Sequence, residues 1–387
     1  MKRHLRKFTA VIAALAAAAG SSMTVGAAPE NISAVSAIVI EADTGTALWE
    51  KNADEHRAMA STTKIMTALL TIEAGGLDRE FTVDPLAILV EGTSMGLREG
   101  DRVSRRDLLY GILLPSGNDA ANAAAVSVSG SIGAFVELMN SRAQELGLSN
   151  THFVTPSGLD ADGHYTTARD LAKLAAFAMK NEVFREVAAC KSAEVEFGNP
   201  PYKRTLYNSN KMLRRYDGAI GVKTGYTKAS GRTLVSCAQR GATRFVCVTL
   251  SDPDDWNDHT RLLDWAFENY AYRAVAGDTP VYAVPVLSGT VQVCAVTPER
   301  EAYLLLRPED TVTLTAELPR FAFAPVQQGT RAGTLTATGP DGQSVSVALC
   351  YAKPAALDPD VKITPFARLG RLWTRVSRYF SAYYPEF

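Results

Sequence analysis

A serine hydroxyl is a weak nucleophile at neutral pH and needs a base beside it. In Ser61-Thr62-Thr63-Lys64 a base stands three residues on, and a helix brings positions i and i+3 onto one face. A lysine buried there loses the hydration that keeps it charged. Its pKa falls and it can take the serine proton. Two later strings supply what such a pair lacks. Ser116-Gly117-Asn118 follows an apolar stretch, 108–114, and offers a hydroxyl to relay protons and an amide to bind a carbonyl. Lys223-Thr224-Gly225 follows the strand-like Ala219-Ile220-Gly221-Val222. It offers a positive charge next to a glycine that lets a substrate backbone approach the strand edge. A Ser-x-x-Lys string alone is expected about once by chance in a chain this long, but the ordered triple far less often. Together the residues read as machinery for acyl transfer through a serine.

Other reactive residues lack such a context. Gly92-Thr93-Ser94-Met95-Gly96 matches the G-x-S-x-G string of a nucleophile elbow, which needs a strand before it and a helix after it. Here the turn-like Leu97-Arg98-Glu99-Gly100-Asp101 follows. His56, His152, His164 and His259 sit in no Ser-His-Asp pattern and read as surface or structural histidines. Cys190, Cys237, Cys247, Cys294 and Cys350 show neither C-x-x-C pairing nor zinc spacing. Cys237 and Cys247 are expected to be buried free thiols.

The elements that must position these groups follow from periodicity. Ser36–Glu41 and Ala47–Glu50 flank a Gly-containing turn and read as a hairpin. Ile65, Met66, Leu69, Leu70 and Ile72 recur at helical spacing up to Gly75-Gly76. A second helix runs over 131–146. Thr167-Ala168-Arg169-Asp170 opens a third. Runs 233–239 and 244–250 read as paired strands, followed by a helix carrying Leu262, Leu263, Trp265, Ala266 and Phe267. Strands at both ends with helices between imply one α/β domain whose sheet draws on both ends of the segment. From about residue 275 the texture becomes β-rich. Short runs at 281–286, 290–296, 302–306, 311–318, 333–338 and 344–349 predict a smaller β domain.

The termini differ from the body. Lys2, Arg3, Arg6 and Lys7, an Ala-rich apolar run and Val25-Gly26-Ala27 have the layout of a cleaved signal peptide, 1–27. Along the tail, Phe366, Leu369, Trp373, Val376, Phe380 and Tyr383 fall on one helical face. Arg368, Arg371, Arg375 and Arg378 fall on the other. That pattern suits a helix lying in the interface of an anionic membrane, over 365–384. Formal net charge is −1 over 387 residues, with the positive excess at the two ends. An acidic body with a basic tail does not read as a nucleic-acid binder.

The three motifs in this order resemble the signature of penicillin-binding proteins and serine β-lactamases. The text around them is similar to low-molecular-mass D-Ala-D-Ala carboxypeptidases. It includes Gly92–Leu97, Leu114–Ala121, Asn150-Thr151-His152-Phe153, Pro156-Ser157-Gly158-Leu159 and Asp217-Gly218 ahead of Lys223-Thr224-Gly225-Tyr226-Thr227. Asp254-Asp255-Trp256-Asn257-Asp258-His259 is similar to sporulation-type Gram-positive members. The resemblance implies a penicillin-binding, β-lactamase-like α/β (α+β) domain with an antiparallel sheet and a helical cluster over 28–274. A β-rich domain over 275–354 and a linker with an amphipathic helix over 355–387 follow.

It also implies roles. Ser61 attacks the carbonyl between two terminal D-alanines, Lys64 is the base and Ser116 shuttles protons. Asn118, Lys223, Thr224, Gly225 and Tyr226 bind substrate, and the backbone N–H groups of Ser61 and Tyr226 form the oxyanion hole. The partners implied are peptidoglycan stem peptides ending in D-Ala-D-Ala, and β-lactams. No metal or organic cofactor is implied, and the place of action is the outer face of the cytoplasmic membrane or the wall space. Some relatives carry histidine where Tyr226 stands, and an arginine for the terminal carboxylate where Asp255 or Trp256 stands. Arg244 is a possible substitute, although it also reads as a solvated strand-edge residue. Two alternatives share the motifs: a serine β-lactamase, and a non-catalytic wall-binding protein of the same fold.

Overall fold

The computed structural model describes residues 28–277 and 282–360. The expected signal segment and the amphipathic tail lie outside them. The chain divides into two compact units, one ending at Tyr270 and the other beginning at Ala271.

The first unit is built on a five-stranded sheet. Its order is Ala47–Lys51, Ser36–Glu41, Thr243–Leu250, Gly231–Arg240 and Ala219–Thr227, with every neighbour antiparallel. Strand Ser36–Glu41 is buried along its whole length. Its continuous apolar run reflects a strand covered on both faces. One face, with Ile38, Ile40, Val235 and Val246, joins the core of the helical cluster. The other is covered by helix Asp255–Asn269, where Phe245 packs on Phe267 with ring centroids 4.7 Å apart.

Helix Lys64–Glu73 runs through the cluster and is buried from Lys64 to Thr71. Helix Asn118–Ser129 is alanine-rich and buried from Asn118 to Ala125, because small side chains let backbones approach closely. Local chemistry sets the helix starts. Ser131 and Thr167 each accept a hydrogen bond from the backbone N–H three residues on, as N-caps do. Strand Ala219–Thr227 is one of the sheet's two edges, the other being Ala47–Lys51. An extended peptide can pair with the edge at Ala219–Thr227.

The second unit has a six-stranded sheet in the order Thr313–Glu317, Arg331–Thr338, Ser344–Tyr351, Val293–Pro298, Tyr282–Leu287 and Ala322–Phe323. A separate pair joins Ala271–Ala276 to Ala302–Leu306. Strand Ala271–Ala276 follows the preceding helix after a single residue and is not expected from the sequence. No turn signal separates the two, and pairing to 302–306 overrides local preference. All five cysteines are free thiols.

Two buried histidines carry a consequence. His259 bridges Thr249 Oγ1 at 3.0 Å and Ser236 Oγ at 2.8 Å. His164 accepts from the Val154 N–H at 2.9 Å and faces Thr63 Oγ1 at 2.8 Å. Burial holds His259 down to about 3 and His164 down to about 4. Both are neutral in the fold, whereas in the unfolded chain they protonate below about 6.5. The unfolded state therefore binds more protons, and stability falls as pH drops through that window. Urea melts at pH 7 and pH 5 should differ by about 1–2 kcal/mol for each histidine. His259→Gln should remove its share of the difference; an unchanged difference would refute this assignment.

Candidate active site

Ser61 lies in a short 3-10 turn, Ala60–Thr63, that runs directly into helix Lys64–Glu73. The turn is tightly placed. Ala60 takes a left-handed φ of 46°, an uncommon conformation for a residue with a Cβ. Gly158 passes so close that a Cβ there would meet Ala60 O at 2.0 Å. A Cβ on Gly225 would meet Ser61 N at 3.0 Å and Thr233 Oγ1 at 2.4 Å. The glycine of Lys223-Thr224-Gly225 is therefore required by packing, since it lets the edge strand lie against the backbone of Ser61.

Lys64 is fully buried. Its Nζ lies 3.0 Å from Ser61 Oγ, 2.7 Å from Asn118 Oδ1 and 2.6 Å from the Ser157 carbonyl oxygen. The last two partners can only accept, so they take two N–H groups. A neutral amine has two N–H groups and one lone pair, which leaves the lone pair for the Ser61 hydroxyl. The electrostatics favour that form. Burial holds Lys64 well below its usual pKa, and the charge of Lys223 adds to the effect. Geometry and pKa agree on a base for the serine proton.

Ser116 also has a left-handed backbone, with φ 68°. Its buried hydroxyl has no hydrogen-bond partner among the described residues, which suits a group waiting for substrate or a proton. Asn118 opens helix Asn118–Ser129 and is held at both ends of its amide. Its Oδ1 accepts from Lys64, and its Nδ2 donates to the Glu91 carbonyl at 2.6 Å. Lys223 is buried, and burial lowers it to about 7. Its Nζ donates to the Thr224 carbonyl at 2.9 Å. The Thr224 hydroxyl lies 3.0 Å from Ser209 Oγ.

Ser61, Ser116, Asn118, Thr224, Gly225 and Tyr226 line one cavity of about 600 Å³. The structure thus brings all three motifs to one place. It also shows residues that motif reading missed. Asp119, one step past Asn118, gathers the backbone of the Gly92–Leu97 loop. Its carboxylate accepts from the N–H groups of Met95, Gly96 and Leu97 at 2.9, 3.0 and 3.0 Å and from Ser94 Oγ at 2.6 Å. Ser94 is therefore a loop-holding residue, and Gly92–Gly96 forms no nucleophile elbow. Arg244 pairs with Asp43 at 2.5 Å and is not among the residues of the cavity wall. Lys211, Arg232, Asp255 and Trp256 do line the cavity. Arg232 was legible only through the hairpin register, which sets it opposite Tyr226. Among the described residues no cluster of three His, Cys, Asp or Glu side chains could hold a metal ion.

Comparison with known proteins identifies the family. Residues 23–254 match the model of a family described as D-alanyl-D-alanine carboxypeptidase. The chain is 34% identical over 358 residues to D-alanyl-D-alanine carboxypeptidase DacF of Bacillus subtilis, an alignment covering 88% of this chain and 90% of that one. Among solved structures, penicillin binding protein 5 from Haemophilus influenzae aligns over 86% of this chain and all of its own, at TM-score 0.65 and 26% identity. The Streptomyces K15 DD-transpeptidase aligns over 62% of this chain and 99% of its own, at TM-score 0.60 and 35% identity. The paired Ser61 and Lys64, the sheet edge beside them and these alignments together establish that the chain belongs to the serine D-alanyl-D-alanine carboxypeptidase family.

Proposed function

We propose that the chain removes the terminal D-alanine from peptidoglycan stem peptides through an acyl-enzyme on Ser61, and that β-lactams acylate the same oxygen. The observation that carries the reading is the buried Lys64, whose Nζ faces Ser61 Oγ at 3.0 Å while two carbonyl oxygens occupy its other bonds. Lys64 takes the Ser61 proton as Oγ attacks the carbonyl between the two D-alanines. The backbone N–H groups of Ser61 and Tyr226 receive the developing oxyanion. Ser116, with its uncommitted hydroxyl, passes a proton to the leaving amine. Asn118 orients the substrate amide, and Lys223 and Thr224 hold the far end. The substrate backbone extends along the free edge Ala219–Thr227, beside the gap left by Gly225. Water then hydrolyses the ester, and the enzyme returns to its starting state.

A β-lactamase needs rapid deacylation, usually by a water held on a further carboxylate. Among the described residues that line the cavity, the one carboxylate is Asp255, and it is tied to Arg232 at 2.7 Å. A non-catalytic wall binder would need neither a buried amine nor an uncommitted hydroxyl. Both features favour the peptidase reading.

The same reading places the protein outside the cytoplasmic membrane, led there by residues 1–27 and held by the basic aromatic tail. Among the described residues no single helix is long and apolar enough to span a bilayer.

Two outcomes are expected. The wild type should release D-alanine from an acyl-D-Ala-D-Ala peptide and be labelled by fluorescent penicillin. Ser61→Ala should do neither. Lys64→Arg puts a permanent cation where the neutral amine stands and removes the base, and should lower acylation by at least about 10²-fold. Labelling of Ser61→Ala would overturn the assignment of the nucleophile. Truncation before Pro365 should leave D-alanine release intact and abolish sedimentation with vesicles containing anionic lipid. Unchanged sedimentation would refute the role of the tail.

A further inference from the structure

The carboxypeptidase reading demands a group that recognises a free terminal carboxylate, and the geometry points to Arg232, held in place by Asp255, as that group. This inference rests on the reading above.

Position comes first. Gly225 abuts the nucleophile's backbone, and in the hairpin register the next residue, Tyr226, faces Arg232 directly. Arg232 is thus one strand in from the free edge and one residue beyond the point of attack. A terminal D-alanine puts its carboxylate one residue beyond the scissile carbonyl, a span of about 3.5 Å. The Arg232 side chain leaves the sheet on the side of Asp255 and reaches the cavity past the end of the edge strand. Arg232 and Ser61 line the same cavity.

The chemistry also fits. The side chain is 42% exposed, while the Asp255 side chain it pairs with is 4% exposed. Arg232 Nη2 donates to Asp255 Oδ1 at 2.7 Å, and that oxygen also accepts from the Trp256 N–H at 2.8 Å. Asp255 is a positioning residue: it takes one edge contact of the guanidinium and fixes its direction. A guanidinium carries five N–H donors in a plane. Here Nε is buried, and Nη2 to Asp255 is the one hydrogen bond that the guanidinium makes among the described residues, so Nη1 is uncommitted. Free donors remain to form the paired bonds that arginine makes to carboxylates. Trp256 forms the adjoining wall, with the Arg232 guanidinium 5.6 Å and Lys211 Nζ 5.9 Å from its ring centroid. Lys211 lines the cavity too, so the charge of Asp255 leaves a net positive mouth. Lys223 is the other cation at the edge strand. With burial lowering it to about 7, it is half neutral near neutrality, whereas arginine stays charged.

The test compares one peptide ending in D-Ala-D-Ala as free acid and as C-terminal amide. The wild type should prefer the acid. Arg232→Ala should lower kcat/KM on the acid by about 10–100-fold, the loss of a charged hydrogen-bonded contact. Activity on the amide should change less than about threefold, on the same principle. Amide turnover therefore also reports that the variant is folded. Arg232→Lys should recover part of the preference. Equal losses on both substrates, no loss on either, or loss of preference in Lys211→Ala but not in Arg232→Ala would each overturn the proposal. A wild type that releases D-alanine without preferring the acid would overturn it while leaving the carboxypeptidase reading standing. A wild type that releases no D-alanine would overturn that reading, and this proposal with it.

Discussion

The site depends on one constraint: an amine must stay buried without remaining charged. Placing Lys64 Nζ away from water would be ruinous for an isolated ammonium. The fold resolves this by giving the amine two carbonyl-type acceptors, Asn118 Oδ1 and the Ser157 backbone oxygen, and a hydroxyl, Ser61 Oγ. Each partner comes from a different segment. The Pro156-Ser157-Gly158 turn must sit under the nucleophile, helix Asn118–Ser129 must begin where its first side chain meets the lysine, and the edge strand must close from the other side. Lys223 lies near enough to disfavour a second charge. Lys223 therefore helps to keep Lys64 neutral, while burial alone lowers Lys223 itself.

These approaches explain several features that would otherwise look incidental. Gly158 and Gly225 occupy points where a Cβ would strike the backbone of Ala60 or Ser61. Asp119 uses its carboxylate to wrap the Gly92–Leu97 loop, and that loop holds Asn118 in return. Thr93 O accepts from the Asn118 N–H at 2.7 Å and Thr93 Oγ1 donates to Ser116 O at 2.5 Å. Left-handed backbone at Ala60 and Ser116 marks strain of about 1–2 kcal/mol each, located where catalytic geometry outweighs local preference.

Much of this was legible in the sequence because the chemistry is carried by short strings. Ser61, Lys64, Ser116, Asn118, Lys223, Thr224, Gly225 and Tyr226 stand out as candidates without coordinates, and the sheet drawn from both ends of the first unit can be read there too. What could not be read depends on tertiary pairing. Asp119 looks like an ordinary acidic residue in the first turn of a helix until the loop it binds is folded over it. Arg232 looks like a hairpin residue until the register sets it opposite Tyr226. Strand Ala271–Ala276 has no turn before it, and its partner lies some thirty residues on. Arg244 was a reasonable candidate by charge, yet Asp43 holds it.

The order of strands in the first sheet has a consequence for how the chain is made. Ser36–Glu41, buried along its whole length, pairs with the sheet's middle strand, Thr243–Leu250, across some two hundred residues. Loop closure on that scale is slow and cannot begin until the later strand exists. A chain emerging from the ribosome therefore carries Ser36–Glu41 with only its hairpin partner Ala47–Lys51 until about residue 250 has been synthesised. Such a chain stays unfolded for longer than one built from local hairpins.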